Sequence, residues 1–253
     1  MPSTIDYSTM LPLSIPAMAS RRKYFPSNGS TFSRQGNSQI RIELAHGSAL
    51  LDPTHSYLEF RVQNANVAAA TFGVDVGGSN CFFENVRIEQ GGKLLSYTQA
   101  SNRLHSEGVA TGGITNANRS YNTVGTSSIT PFAPGSDGRF YDIGTHNSND
   151  YFGAGAVHRF TMPITSGLFS QDKLIPLPLV DPNSPITIIL DLAPAEDVGA
   201  WSAAPGGGDI QILECSYIAH MIEVGPDVID QFRMVQTEIG GQLALSGQDY
   251  EYF

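Results

Sequence analysis

The residues that could carry out chemistry are few and scattered along this sequence. Six histidines lie at positions 46, 55, 105, 146, 158 and 220. The stretch Tyr141 to Asp150, YDIGTHNSND, is rich in the oxygen ligands that hard cations prefer, but it lacks the spacing and terminal glutamate of an EF-hand. We interpret it as a hydrogen-bonded turn, with a metal site as the alternative. His46, His158 and His220 lie in or at the ends of predicted strands, so we interpret them as structural.

Catalytic motifs are absent from the sequence. It contains no nucleophile elbow, no zinc-protease helix motif and no phosphate-binding loop. The glycine-rich stretches GGSN and PGGGD are not followed by a helix that would present backbone amides to a phosphate. A cupin-type enzyme would need clustered histidines and a carboxylate on inward-facing strands, and the histidine spacing does not supply that cluster. We therefore expect neither an enzyme nor a bound cofactor.

The composition is that of a globular protein built from sheets and turns. Of the 253 residues, 41% are hydrophobic, which is enough for a core, and only 15% are charged, against about 25% in typical domains. The net charge of −10 argues against a body that binds nucleic acid. Cys81 and Cys215 each lie in an apolar, strand-like run, so we expect two buried free thiols and no disulfide.

Alternation of polar and apolar residues predicts eight strands between residues 38 and 224. The segments are SQIRIELAH, HSYLEFRVQ, CFFENVRIEQ, KLLSYTQ, AVHRFTMPI, KLIPLPLV, PITIILDL and DIQILECSYIAHMIEV. Gly91-Gly92, between the third and fourth segments, is a hairpin signal. Helices are predicted only in the short stretches TQASNRLHS and PDVIDQFRMV. This pattern predicts an all-β, eight-stranded jelly-roll β-sandwich over residues 38–230, with long surface loops.

Two regions fall outside the regular series of strands. Residues 107–156 are rich in Gly, Ser, Thr and Asn, and their aromatic residues predict an ordered loop that packs on something. The aromatic residues expected to pack there include Phe132, Tyr141 and Tyr151. Residues 1–37 form a basic, proline-rich arm, and residues 1–35 of it are expected to leave the sandwich. Its basic cluster, Arg21, Arg22 and Lys23, follows the apolar stretch Met10 to Ala19. Basic residues precede the apolar stretch in a secretion signal, so this charge order is the wrong one.

Several segments occur in an order that resembles a known family. They are DPTHSYLEFRV, then FFENVRIEQGGKLLS, then HRFTMPITSGLFSQDKLIPLPLV, and finally the strand PITIILDL. The order resembles the N-terminal roll of double jelly-roll major capsid proteins, which are found in tailless icosahedral DNA viruses and polinton-like elements. The residues that carry the resemblance are Asp52, Ser56, Tyr57, Leu58, Gly91, Gly92, Lys93, Pro163, Leu168, Phe169, Lys173, Leu174, Pro176, Leu177 and Ile186 to Leu192.

The resemblance implies a structural capsid subunit that is made in the host cell and resides in the virion. Such a subunit would self-assemble, as a homotrimer or a higher lattice with other capsid proteins, into an icosahedral shell. Its basic arm would lie at a neighbour, the genome or an inner membrane. The residues expected to serve assembly are Arg21, Arg22, Lys23, Leu168, Phe169, Phe132, Tyr141 and Tyr151. Leu168 and Phe169 are expected to be buried, in the core or against a neighbour.

Two alternatives stay open. A double roll needs a second set of strands, and only GGQLALSGQDYEYF follows the eighth. Residues 231–253 are therefore either a C-terminal extension of a single roll or a linker to a second one. The alternative function is a carbohydrate- or receptor-binding β-sandwich, for which Trp201 is the one residue suited to stacking on a sugar.

Overall fold

A computed structural model describes the backbone of most of the chain. It covers residues 17–44, 47–65, 72–74, 78–110, 132–134, 140–142, 151–171, 173–181, 183–201 and 210–238. The strands are β1 Met18–Tyr24, β2 Thr31–Ser33, β3 Gln39–Leu44, β4 Ala49–Asn64, β5 Phe72–Val74, β6 Phe83–Gln90, β7 Lys93–Thr98, β8 Phe132–Pro134, β9 Phe140–Asp142, β10 Tyr151–Phe152, β11 Val157–Met162, β12 Ile186–Leu192, β13 Gly199–Trp201 and β14 Ile210–Glu223. The α-helices are α1 Ser101–Ala110, α2 Ala195–Val198 and α3 Pro226–Glu238, and 3₁₀ turns lie at Gly78–Phe82 and Leu177–Leu179.

Two antiparallel sheets form a sandwich. Sheet A has the order β1-β14-β4-β11, with β2 also paired to β14, and sheet B has the order β3-β12-β6-β7. If β1, β3, β4, β6, β7, β11, β12 and β14 are numbered one to eight along the chain, the two sheets read 1-8-3-6 and 2-7-4-5. Chain neighbours thus repeatedly change sheet, which is the connectivity of an eight-stranded jelly roll. The predicted fold class is confirmed.

The core lies between the inward faces of the two sheets. Phe60 on β4 is fully buried, and its ring centroid lies 5.1 Å from that of Phe83, 5.8 Å from that of Phe82 and 5.8 Å from that of Phe160. Burial of each such side chain contributes about 1.5–3 kcal/mol. The predicted alternation is confirmed in β4, where Leu58, Phe60 and Val62 are buried while the residues between them are more exposed. Each sheet therefore has one apolar face because its strands alternate.

The prediction of a strand in KLIPLPLV is wrong. Only Ile175 pairs, in an isolated bridge with Leu51, and residues 177–179 form a 3₁₀ turn. Pro176 and Pro178 have no backbone N–H to donate, so the segment cannot continue a hydrogen-bonded ladder. The apolar residues are nevertheless buried because the turn packs onto the sandwich.

The prediction that residues 1–35 leave the sandwich is wrong for strands β1 and β2, which belong to sheet A. Strand β1 pairs with β14 over its whole length, from Met18 opposite Glu223 to Tyr24 opposite Tyr217, and β2 pairs with β14 further along. Strand β1 therefore supplies the eighth strand of the sandwich in place of the segment at Ile175. Residues 1–16 lie outside the described residues.

Other predictions are confirmed. The β6–β7 hairpin turns at Gly91 and Gly92, whose φ values of 55° and 80° are those that a two-residue hairpin turn requires. Helices α1 and α3 lie where the two short helices were predicted. Cys81 and Cys215 are both buried thiols, and they form no disulfide. Among the described helices, none is long and apolar enough to cross a membrane.

The region 107–156 is described only in part. Strands β8 and β9 pair with each other, and β10 joins β5 and β13 in a small three-stranded sheet. The backbone of Phe132, Tyr141 and Tyr151 lies in these strands, but their side chains are outside the described part, so the predicted packing of this loop stays a prediction. Most of the stretch 141–150 is also outside it, and the metal alternative there stays untested.

Candidate functional site

Strand β4 contains a four-residue excursion on sheet A. In the pairing with β14, Tyr57 lies opposite Ile218 and Asp52 opposite His220, so residues 53–56 face a single residue of β14. Local hydrogen bonds shape this excursion: Asp52 Oδ1 accepts from the backbone N–H of Thr54 at 3.0 Å and of His55 at 3.4 Å. Such aspartate turns offer the backbone an alternative to the sheet ladder. We call these four residues together with Asp52, residues 52–56, the β4 excursion.

Ser56 joins the β4 excursion to β14. Its hydroxyl donates to the carbonyl oxygen of Asp52 at 2.5 Å and accepts from the backbone N–H of His220 at 2.9 Å. Ser56 is buried, so both bonds are made away from water. The serine therefore replaces the ladder bond that the extra residues interrupt, and it fixes Asp52 beside His220.

The second oxygen of Asp52 lies against two imidazole rings. Oδ2 is 2.7 Å from Nδ1 of His55 and 3.3 Å from Nδ1 of His220. Burial alone would raise the pKa of Asp52, but the hydrogen bonds with His55 and His220 and the nearby His55 charge outweigh it and hold the pKa below its ordinary value. The carboxyl group is therefore ionised at neutral pH.

In the described part of the chain, this trio is the one group of His, Cys, Asp or Glu side chains whose atoms lie close enough together to hold a metal ion. One ligand atom from each of Asp52, His55 and His220 lies within 4.8 Å of the others. Sequence reasoning missed it: the pair Asp52 and His55 stands in the quoted segment DPTHSYLEFRV, but His220 is 168 residues from Asp52. The short spacing from Asp52 to His55 was the available signal, and nothing local indicated the third member.

The proline-rich segment 163–180 runs from sheet B to the β4 excursion. At its start, Thr165 O accepts from Thr98 Oγ1 on β7 at 3.3 Å. Further along, Gln171 O accepts from Thr54 Oγ1 at 3.2 Å, and Ile175 and Leu51 exchange two backbone hydrogen bonds of 2.8 and 2.7 Å. The segment thus connects the edge of one sheet to a central strand of the other.

Leu168 and Phe169 lie in the middle of this segment and belong to the core. Leu168 is 8% exposed and Phe169 is 3% exposed. The prediction that both are buried is confirmed. They are buried within the chain itself, so little of their surface is open to a neighbouring subunit, and their role in assembly stays a prediction.

The predicted basic cluster lies on β1, at the edge of sheet A. Arg22 forms an ion pair with Glu223 at 3.6 Å, and Lys23 forms one with Glu59 at 3.5 Å. Arg21 is exposed and lies opposite His220 in the strand register. Charged residues on an edge strand hinder unwanted pairing with other strands.

Glu59 is the centre of the ion pairs on sheet A. Arg159 on β11 lies 2.5 Å from its carboxylate, on the side away from Lys23 of β1. Burial would raise the pKa of Glu59, but the hydrogen bond from Arg159 and the charge of Lys23 hold it below its ordinary value. Glu59 therefore links both edges of sheet A through the central strand β4.

Large apolar side chains are exposed at three edges of the sandwich. Met18 and Phe25 lie on and just after β1, Val157 lies on β11, and Leu94 and Leu95 lie on β7. Leu94 is 51% exposed and Leu95 is 41% exposed. We call these two residues the β7 patch. Neighbouring exposed apolar side chains such as these two can mark a surface that another molecule covers, whereas single ones are common on any protein.

The predicted site residues do not come together in one place. The basic cluster lies on β1, Leu168 and Phe169 lie in the core, and Phe132, Tyr141 and Tyr151 lie in the small strands β8, β9 and β10. In the part of the chain that the structure describes, the candidate functional features are therefore edges and a polar cluster on sheet A. The β7 patch, which sequence reasoning did not single out, is one of them.

Comparison with known proteins gives structural matches. No protein-family model and no curated protein matches the chain. The PBCV-1 protein VP54, in a crystal structure fitted into a cryo-EM reconstruction of the virophage Sputnik, matches with a TM-score of 0.56 and 14% identity, over 93% of this chain and 47% of that chain. A quasi-atomic model of the PBCV-1 virus capsid matches with a TM-score of 0.55 and 13% identity, over 93% and 47%.

The major capsid protein of Faustovirus matches with a TM-score of 0.50 and 10% identity, over 88% of this chain and 57% of that chain. The chain thus spans about half the length of the chains that it matches. At these identities the likeness concerns the fold, and it covers 88–93% of this chain. The chain therefore has the jelly-roll fold of double jelly-roll major capsid proteins, as the resemblance of its sequence predicted.

Proposed function

We propose that this chain is a structural subunit of a viral capsid. The observation that carries the proposal is the strand connectivity, which is 1-8-3-6 in one sheet and 2-7-4-5 in the other. A chain with this connectivity matches the folds of VP54 and the Faustovirus major capsid protein over 88–93% of its length. In this role the shape and edges of the sandwich matter, and no side chain acts as a catalyst.

The exposed edges support self-assembly. A shell subunit must cover part of its surface with neighbours, and the core of a protein interface is more apolar than the rest of a surface. The β7 patch provides such an edge on sheet B, and Met18, Phe25 and Val157 provide apolar groups at the edges of sheet A. In the proposal, copies of the chain associate as a homotrimer or a higher lattice, with other capsid proteins, into an icosahedral shell.

Contact of the basic cluster with genome or membrane is a separate part of the proposal. Arg22 and Lys23 are already paired with Glu223 and Glu59, which lowers the positive charge that they offer to another molecule. This pairing favours a role at the sheet edge between subunits. Attachment of residues 1–37 to genome or an inner membrane stays a prediction, as does the role of Phe132, Tyr141 and Tyr151 in a tower or interface loop.

The C-terminal residues 231–253 enter the proposal as a connection to a second roll. The support is that the matched solved chains are about twice as long as the part of them that this chain covers. Residues 226–238 form helix α3, so the first part of this connection is helical.

The proposal is tested by the oligomeric state of the expressed chain. Light scattering after size-exclusion chromatography and negative-stain electron microscopy should show trimers or larger particles. Leu94→Glu together with Leu95→Glu should shift the protein to smaller species without unfolding it. Glu43→Lys is the matched control, because Glu43 is an exposed residue on the edge strand β3 of the same sheet.

The opposing result is a folded monomer at every concentration. If that monomer is also retained on immobilised glycans, the chain is a binding module, and the capsid proposal is wrong. If the charged double variant and the control assemble equally well, the β7 patch is not an assembly surface, although the capsid role itself would stand.

A further inference from the structure

We propose that Asp52, His55 and His220 bind a divalent transition-metal ion such as zinc. The three side chains offer one carboxylate oxygen and two imidazole nitrogens within 4.8 Å of one another. Two histidines and one carboxylate are a donor set that proteins use for zinc. The inference does not depend on the capsid proposal, because it rests only on the β4 excursion and its contact with β14.

The separations of the two imidazole nitrogens from the carboxylate oxygen are close to those that the ion requires, whereas the imidazole nitrogens lie within 4.8 Å of each other and must approach by up to about 1.5 Å. Zinc bonds of about 2.0–2.2 Å in a tetrahedral arrangement separate neighbouring ligand atoms by about 3.3–3.5 Å. Oδ2 of Asp52 and Nδ1 of His220 are already 3.3 Å apart. Nδ1 of His55, at 2.7 Å from the same oxygen, must move outward by about half an ångström to reach such a separation. The His55 side chain is 69% exposed, so this movement meets little resistance.

The less mobile ligands are held in place by their neighbours. Asp52 Oδ1 accepts two backbone N–H groups of the excursion, which leaves Oδ2 directed at both imidazoles. Ser56 holds the carbonyl of Asp52 and the backbone N–H of His220 at once. Such outer hydrogen bonds orient metal ligands and are part of functioning metal sites. The site is thus arranged before an ion arrives.

The chemistry of the site favours the binding of a cation beside the Asp52 carboxylate. The carboxylate oxygen of Asp52 and one nitrogen of each imidazole are electron-pair donors that converge on a single point, which suits a cation. A positive charge that would repel a bound cation is that of Arg21, which lies opposite His220 in the strand register. Arg21 is exposed and can extend its guanidinium group into solvent. The exposure of His55 leaves the remaining coordination position open to water.

A bound ion would hold together parts of the chain that are far apart in sequence. Asp52 and His220 are separated by 168 residues, so the unfolded chain does not present the site. Thr54 on the same excursion bonds to Gln171 of the segment 163–180. The ion would therefore fix the contact among β4, β14 and that segment, and it would raise the melting temperature because it binds the folded state alone.

The test is zinc binding by the untagged chain after treatment with EDTA and removal of the chelator. Isothermal titration with zinc chloride at pH 7.5 should show one saturable site per chain, and the melting temperature should rise with added zinc. His55→Gln and His220→Gln should each weaken the affinity by at least about tenfold. His55→Gln is the primary variant because His55 is exposed, so its loss leaves the fold intact even if His220→Gln does not fold.

His158→Gln is the matched control, since His158 lies on β11, outside the cluster, and this variant should bind zinc as the original chain does. Absence of saturable zinc binding overturns the proposal. So does binding that is unchanged in His55→Gln, or that falls as much in His158→Gln as in His55→Gln.

Discussion

The ring of Phe169 meets the ring of Tyr217 edge to face, with 5.9 Å between their centroids. Phe169 lies in the proline-rich segment, and Tyr217 lies on β14, where it is 1% exposed. Burial raises the pKa of Tyr217 well above its ordinary value, so the phenol stays neutral. The contact ties the segment 163–180 to the inner face of sheet A through a pair of rings in a preferred geometry.

Removal of this ring should destabilise the fold. Phe169→Ala creates a cavity among buried neighbours, and we expect the free energy of unfolding to fall by about 3–5 kcal/mol in urea denaturation. Met234→Ala is the control: Met234 on α3 is 69% exposed, and its truncation should change the free energy of unfolding by no more than about 0.5 kcal/mol. Equal losses in the two variants would mean that Phe169 does not pack in the core.

The β6–β7 turn gives a second test of stability. A Cβ atom added at Gly91 would lie 2.8 Å from Oγ of Ser184, whereas one added at Gly92 would meet nothing within 4 Å. Both glycines have positive φ, so alanine costs about 1–2 kcal/mol at either position from backbone strain alone. Gly91→Ala should therefore lower the free energy of unfolding more than Gly92→Ala does.

The second change Ser184→Gly removes the side chain that a Cβ atom at residue 91 would meet. It therefore separates the steric contribution to the loss of stability from the contribution of backbone strain. In Gly91→Ala combined with Ser184→Gly, the loss relative to Ser184→Gly alone should fall to that seen at Gly92. If the loss in Gly91→Ala is unaffected by the second change, the contact between the turn and Ser184 does not explain it.

The alternation of residues predicted most of this fold because most strands have one buried face. Strand β3 shows the reason: Ile40, Ile42 and Leu44 are buried, and Arg41 and Glu43 between them are exposed. A local pattern is sufficient when burial alternates with the pleat. The same reasoning missed β1, whose residues are exposed or only partly buried on both faces. Its place in the sheet depends on backbone pairing with β14, and backbone pairing does not require polar and apolar residues to alternate.

The candidate site was predictable only in part. The burial of Leu168 and Phe169 follows from their apolar character between polar neighbours. The association of His220 with Asp52 depends on the register between β14 and β4 across the excursion, and register over 168 residues is not encoded in any local spacing. The resemblance to capsid proteins drew attention to the Asp52 segment, but it did not indicate which histidine would meet it.

The ion pairs of Glu59 predict how stability depends on pH. The folded-state pKa of Glu59 lies below its ordinary value of 4.5, so the stabilisation is present above that value and is lost as the pH falls through the lower folded-state pKa. Glu59→Gln should therefore be less stable than the original chain at pH 7, and the difference should shrink as the pH is lowered from 5 towards 3. Urea midpoints across this range measure it.

Glu196→Gln is the control for the pH experiment, because Glu196 is an exposed carboxylate on α2. It should leave the urea midpoint at pH 7 within error of the original. A Glu59→Gln difference that grows towards pH 3 would contradict the ion-pair assignment. Added salt should also reduce the difference at pH 7, since the partners Lys23 and Arg159 are partly exposed.

The two cysteines should be unreactive in the folded protein. Cys81 and Cys215 are buried, and burial raises the pKa of Cys215 to about 12, so almost none of it is thiolate at pH 8. A thiol-disulfide reagent such as Ellman's should label neither cysteine quickly in native protein and both in urea. Rapid labelling of one thiol in native protein would show that its strand opens or that its burial is incomplete.

The last prediction concerns strand β1. It distinguishes an edge strand of the sandwich from a free arm. Deletion of residues 2–16 should leave the sandwich intact, because pairing with β14 begins at Met18. Deletion of residues 2–24 removes seven register pairs and the ion pairs of Arg22 and Lys23, and it exposes the edge of β14. An unpaired central strand invites association with other chains. The longer deletion should therefore lower the melting temperature and produce aggregates in light scattering, whereas the shorter one should do neither. If both deletions behave alike and stay soluble, residues 18–24 are a detachable arm and the eight-stranded sandwich is wrong at this edge.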